Sequence, residues 1–294
     1  MPLRAPLSRA AFASLAMTLL PLSGCSTSQL VARGASPLID HGVVAMNRET
    51  DLELARASIP ANLKMIEALL LADPGNAAYR VQAAMGFYGY ALGFVEADDR
   101  DRAALLYQRA RNHGLAALER ARVTQAMLDG DAAALTQTLA KLDARAVPAL
   151  FWTASPWGKW IELQLDDPAR LAELPRVEAL MQRVLALDET YYHGGAHVFF
   201  GVYYGGRAPM LGGDFERAAR HFDRAAALSH NRLLWVEVYR ARYLLRQMGD
   251  RAAFHATLNR VLVAPESVDP DLNLANALAR KQAAALLAQE EDLF

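Results

Sequence analysis

The sequence predicts an all-α protein organised as an α-solenoid of paired helices, and three observations lead there. Beyond residue 45, alanine and leucine recur at helical spacing, and no run of alternating β-branched or aromatic residues interrupts them. Turn-and-cap pairs punctuate that texture: Gly213-Asp214 and Gly249-Asp250 lie 36 residues apart. Small, aromatic and small residues then repeat at spacings of four and three, as Ala103, Tyr107, Ala110 and as Ala218, Phe222, Ala225. Small residues on either side of a ring let two helices approach closely.

The elements follow in chain order. Arg4 and Arg9 form a positive n-region before the apolar run Ala10–Leu22, which is too short to span a bilayer. It ends in Leu22-Ser23-Gly24-Cys25, which looks like a bacterial lipobox. Residues 1–24 therefore read as a lipoprotein signal peptide and Cys25, the single cysteine, as the acylated N-terminus of the mature chain. No intramolecular disulfide and no CxxC-type metal or redox site can form with one cysteine. Ser26 follows where an aspartate would resemble an inner-membrane retention signal, which favours the outer membrane over the inner. Residues 25–44, rich in Ser, Gly and Pro at their start, read as a flexible tether. Residues 45–294 then form the helical domain.

Charge narrows the partners. The chain carries 31 basic and 32 acidic residues, and losing Arg4 and Arg9 with the signal peptide leaves 29 against 32. No surplus positive charge exists to neutralise a phosphate backbone, so nucleic acid is not expected as a partner.

Within the domain, Asp214 caps a helix that places Phe215, Ala218, Ala219, Phe222, Ala225 and Ala226 on one face. The next opens near Asn231, shows Leu234, Trp235, Val238, Ala241 and Leu245 as its stripe, and closes at Gly249 in a left-handed cap. Asp250 caps another, with Phe254, Leu258, Val261 and Leu262 apolar and Pro265 ending it. The 36-residue interval is close to that of a tetratricopeptide unit. Intervals elsewhere, at Asp73-Pro74, Asp98-Asp99, Gly130-Asp131 and Asp188-Glu189, are unequal, so these repeats are degenerate.

Two stretches break the alanine-leucine texture. In the first, residues 148–160, Trp152, Trp157 and Trp160 accompany Phe151, Pro148, Pro156 and Gly158. These rings either plug an interrupted repeat or form an aromatic wall for an apolar or cationic ligand, with Trp157 the best placed to face a cavity. The second, residues 191–214, holds seven glycines, which imply unusual dihedrals or close backbone approach. Tyr192, His193, His197, Tyr203, Tyr204 and Arg207 are its candidate ligand-binding residues, and Arg207 is able to hold a carboxylate bidentately. His193 and His197 are four apart but lack a third ligand at convincing spacing, so no metal site is expected. No nucleophile elbow, phosphate loop or dinucleotide fingerprint occurs, so neither catalysis nor a cofactor is expected.

The lipobox, the degenerate helix pairs and the run Tyr192-His193-Gly194-Gly195, Gly201, Tyr203-Tyr204, Pro209, Leu211-Gly212-Gly213-Asp214, His221-Phe222 together resemble the T-component (TatT) family. These are periplasmic lipoproteins associated with tripartite ATP-independent periplasmic (TRAP) transporters, and the resemblance runs from about residue 45 to 290. It implies a homotrimer with a hole or cleft through each subunit. It implies docking of the solute-binding P component and an apolar or organic-acid-like solute. The alternative is a tetratricopeptide scaffold lipoprotein in cell-envelope assembly, with a protein partner and no solute.

Overall fold

A computed structural model describes residues 27–267 and 269–294. The signal peptide and Cys25 lie outside the described residues. Every regular element described is helical. In order these are α1 (Thr27–Gly34), α2 (Ser36–Asn47), α3 (Leu52–Ala72), α4 (Ala77–Phe94), α5 (Arg100–Arg120), α6 (Gln125–Leu128), α7 (Ala132–Ala140) and α8 (Val147–Glu162). After them come α9 (Pro168–Leu171), α10 (Leu174–Leu187), α11 (Tyr191–Gly205), α12 (Phe215–Leu228) and α13 (Trp235–Tyr239). A π-turn over Arg240–Leu245 joins α13 to α14 (Arg246–Met248), followed by α15 (Arg251–Val263), α16 (Asn273–Ala288) and α17 (Glu290–Leu293).

The starts of these helices are written in the sequence. Asp51, Asn76, Asp99, Asp131, Asp214 and Asp250 each accept backbone N–H groups of the first turn they precede. Gly249 closes α14 at φ 70°, a left-handed conformation open to glycine without strain.

Pairing follows the small-aromatic-small triplets. Ala103, Tyr107 and Ala110 of α5 are buried where α4 and α5 pack, and Ala218, Phe222 and Ala225 of α12 are buried against α11. At that second contact Gly201 matters most: a Cβ there would stand 2.7 Å from the Phe222 ring. The ring occupies the space that the missing side chain leaves. α8 sits at the centre, packed on α4, α5 and α10 and buried on almost every face, so it carries hardly any charge. A second, smaller core joins Val238, Ala241, Phe254, Leu258 and Ala283 between α13, α15 and α16.

Two expectations are corrected. The helix foreseen from Asn231 begins at Trp235, because His230 and Asn231 both take positive φ and form a turn. The flexible tether foreseen up to residue 44 is, from Thr27 onward, two helices. α1 and α2 are held to the body: the Tyr79 hydroxyl donates to the Ala32 carbonyl, and Gln82 Nε2 donates to Asp40 at 2.6 Å.

Phe222→Ala should cost about 3–5 kcal/mol of stability in urea denaturation, the usual range for emptying a buried aromatic site. A loss under about 1 kcal/mol would mean that the ring does not hold α11 to α12.

Candidate functional site

A cavity of about 680 Å³, partly open to solvent, lies among the helices. Its walls come from α2, α3, α4, α8, α11, α13, the π-turn and α16. Aliphatic and aromatic side chains predominate, among them Ile39, Leu63, Phe94, Trp152, Phe199 and Trp235. Glycines widen it: Gly42 and Gly89 lie on the wall, and a Cβ on either would meet open space.

One wall is made by an uncommon backbone turn. Tyr192, His193 and Gly194 take φ of 48°, 58° and 78° in succession, so the first turn of α11 winds left-handed. Gly194 adopts this freely, whereas Tyr192 and His193 are strained there, as residues at ligand-binding sites often are. The turn presents the Tyr192 ring to Trp152 at 4.8 Å and Phe151 at 5.6 Å between centroids. The backbone of Gly195 lies so close to Phe151 that a Cβ would stand 2.6 Å from its ring. Tyr192 lines the cavity, where its hydroxyl is screened from bulk water by the surrounding chain; that desolvation pushes its pKa up to about 12, with Tyr88 and Tyr191 adding to the rise.

A polar group touches the cavity through Lys159, Glu162 and Tyr243 and is backed by Glu96, Tyr107 and Arg242 behind the wall. Lys159 Nζ donates to Glu96 at 2.9 Å and to Glu162 at 3.0 Å. The Tyr107 hydroxyl donates to Glu96 at 2.5 Å and the Tyr243 hydroxyl to Glu162 at 2.6 Å. Arg242 stands 3.7 Å from both carboxylates, so two cations and two anions balance. Burial works against the Lys159 charge, but Glu162, Tyr243 and Glu96 outweigh it and hold the ammonium above its ordinary pKa. For Glu162, burial is likewise outweighed by Lys159 and Arg242, which hold its carboxyl below the usual range. Tyr88 and Tyr239 also line the cavity, and burial pushes Tyr88 up to about 12.

Of the residues singled out in the sequence, Trp152, Tyr192, Tyr203 and Arg207 line the cavity. Trp157, Trp160, His193, His197 and Tyr204 do not. Trp157 is fully buried elsewhere, donating through Nε1 to Glu173 at 2.6 Å beneath the Arg111 guanidinium 4.1 Å from its ring. Trp160 is packed between Arg111 and Arg170, and Tyr204 stacks on Phe200 and His221 under Arg217. His197 faces away from His193, placing Nδ1 2.9 Å from His221 Nδ1 and Nε2 3.1 Å from Glu189, which also pairs with Arg224. Among the described residues, no group of three or more His, Cys, Asp or Glu side chains converges as metal binding would need.

Comparison with known proteins decides the family. The family model described as "TRAP transporter T-component" matches residues 48–294. The chain belongs to that family. Among relatives, an uncharacterized protein of Treponema pallidum (strain Nichols) is 26% identical over 306 residues, covering 98% of this chain and 92% of the relative. As a T-component the protein is associated with a TRAP transporter, and its family is a transport accessory and not an enzyme family. No helix of the described residues is long and apolar enough to cross a membrane.

The sequence passed over several wall residues of this T-component. Tyr239 and Tyr243 sit opposite the stripe Leu234, Val238 and Ala241, so helical periodicity makes them solvent-facing. That segment is instead covered on two sides, by α15 on the stripe and by the cavity on the tyrosines. Lys159 gave the one usable clue, a lone cation flanked by Gly158, Trp160 and Ile161.

Lys159→Met should destabilise this T-component by about 3–5 kcal/mol in chemical denaturation, because Glu96, which stays buried, and Glu162, which stays half-buried, lose their nearest cation. Adding Glu96→Gln should restore part of the loss by rebalancing the charges. If the single change costs under about 1 kcal/mol, the network does not bear on the fold.

His221 supplies a pH dependence. Burial, then His197, Arg217 and Arg220, push its pKa down to about 4, below that of an unfolded histidine. The unfolded chain binds more protons between about pH 4 and 6.5, so this contribution is present above that window and is lost as pH falls through it. His221→Phe, which keeps the stack on Phe200 and Tyr204, should flatten the fall in denaturation midpoint between pH 7 and pH 5. An unchanged slope would contradict the assignment.

Proposed function

We propose that the cavity of this T-component holds a small apolar or organic-acid-like solute and that the protein exchanges it with the periplasmic solute-binding P component of its transporter. The mature chain, freed of residues 1–24, is held at the periplasmic face of the outer membrane by acyl chains on Cys25 and works as a homotrimer.

The cavity carries this reading. Protein interiors are packed to crystal density, with few voids larger than a water molecule. This cavity is partly open to solvent, its wall is mostly apolar so that water is poorly held there, and its volume of about 680 Å³ is that of pockets holding drug-sized ligands. Its walls select for apolar content, because the charges of Lys159 and Glu162 are already spent on each other and on Glu96 and Arg242. Arg207 is the cationic lining residue with no carboxylate partner among the described residues. Its guanidinium lies 3.9 Å from the Tyr203 ring centroid, and Nε donates to the Tyr203 carbonyl at 2.9 Å. A solute acid would be received there.

Gly89→Leu tests the cavity directly, because the new side chain projects into open space from a helical position. The fold should keep its stability or gain up to about 1 kcal/mol from leucine's better helix propensity. The fluorescence enhancement of 1-anilinonaphthalene-8-sulfonate, an apolar anion, should fall to background in the plugged protein. Undiminished binding by the folded variant would place the probe outside the cavity and remove the solute reading. Affinity capture from solubilised envelopes tests the partner: recovery of a solute-binding receptor supports the exchange, and recovery of envelope-assembly proteins alone contradicts it.

A further inference from the structure

We infer that helices α1 and α2 seat the protein directly on the bilayer surface, with the α2 side of the cavity opening at the level of the lipid. This rests on the acylation of Cys25 put forward above.

The first argument is length. Thr27, where α1 begins, is two residues from Cys25, and two extended residues reach at most about 7 Å. An acylated Cys25 lies at the membrane interface, so the start of α1 lies there too. The second argument is that α1 cannot swing away from the body. Asp73, at the end of α3, accepts from Gln29 Nε2 at 2.7 Å and from Arg33 Nε at 3.0 Å, while Tyr79 holds the Ala32 carbonyl. The lipid anchor therefore fixes the whole solenoid close to the bilayer.

The surface presented there suits it. Leu30, Val31 and Leu38 are 68%, 70% and 72% exposed, and Leu71, two residues before Asp73, is 85% exposed. Single exposed leucines are ordinary. Three leucines and a valine, carried by the two helices beside the anchor and by the end of the helix that α1 grips, put exposed apolar surface next to the anchor that lipid would cover. Over residues 27–47 the full charges are Arg33 and Asp40, already engaged with Asp73 and Gln82. Free interfacial helices draw on rows of lysine and arginine, which this pair lacks, so without acyl chains the protein should stay in water. Leu38 is also a lining residue of the cavity, together with Gly42, Val43 and Met46 of α2. An apolar solute could thus pass between bilayer and cavity without crossing open water.

The chain offers a clean test, because acylation consumes its single cysteine. Val31→Cys, Leu38→Cys and Met210→Cys each add one free thiol at an exposed position of the full-length lipoprotein, Met210 lying in the turn between α11 and α12. Each is labelled with bimane in vesicles of phosphatidylethanolamine and phosphatidylglycerol. The labels at 31 and 38 should be quenched several-fold more by lipid-borne nitroxide than the label at 210, and shielded from iodide. Iodide quenching at 31 and 38 equal to that at 210, on protein shown by mass spectrometry to be acylated, would mean the body stands off the membrane and overturns the proposal while leaving the anchor. Shielding from both quenchers would mean that a protein, such as a second copy, covers the face, and overturns it as well. An unmodified Cys25 would remove the anchor reading and this proposal together.

Discussion

Lys159 is the charge around which the solenoid closes. It comes from α8, the most deeply buried helix, and it meets Glu96 from the turn after α4 and Glu162 from its own last turn. Arg242, from the π-turn, completes the group. Glu96 and Lys159 are buried and Glu162 and Arg242 half-buried, so the group carries a desolvation cost that its ion pairs and the hydrogen bonds of Lys159, Tyr107 and Tyr243 must offset. The consequence is geometric: beside their apolar packing, α4, α8 and the π-turn are tied together by these polar contacts. The space beside them remains open as the cavity, with Tyr88, Tyr239 and Tyr243 along its edge.

The opposite wall reaches the same end through backbone strain. The left-handed turn at Tyr192–Gly194 spends conformational energy to hold one aromatic ring against Trp152 and Phe151. Gly195 and Gly201 then let α11 press onto Phe151 and Phe222. This aromatic wall and the charge-balanced group line a partly open volume that favours apolar molecules. This is the physical content that membership of a transporter family leaves unstated.

Much of the fold was legible in the residues, and the reasons are local. Asp99, Asp214 and Asp250 cap helices wherever they stand, and the triplets Ala103-Tyr107-Ala110 and Ala218-Phe222-Ala225 pack alike because small-aromatic-small spacing admits one kind of close pairing. The candidate site was half legible. Glycine density pointed to the α11 turn, and with it to Tyr192, Tyr203 and Arg207. Tryptophan density pointed to α8 but not to which ring faces inward: Trp152 does, whereas Trp157 is filled in by Arg111 and Glu173, partners from other helices. The tyrosines of α13 and the π-turn were hidden because a helix buried on two sides has no periodic signature. The Ser-, Gly- and Pro-containing stretch before residue 44 read as a spacer, and tertiary contacts with Asp73, Tyr79 and Gln82 make it helical from Thr27 instead.

The central claim is that the cavity exists to be occupied. The most direct measurement takes the protein from its native envelope without added ligand, denatures it, and identifies and quantifies the small molecules released by mass spectrometry. The account predicts one apolar or weakly acidic compound at close to one molecule per chain. Release of no small molecule from protein that is folded and bound to its transporter partners would contradict it.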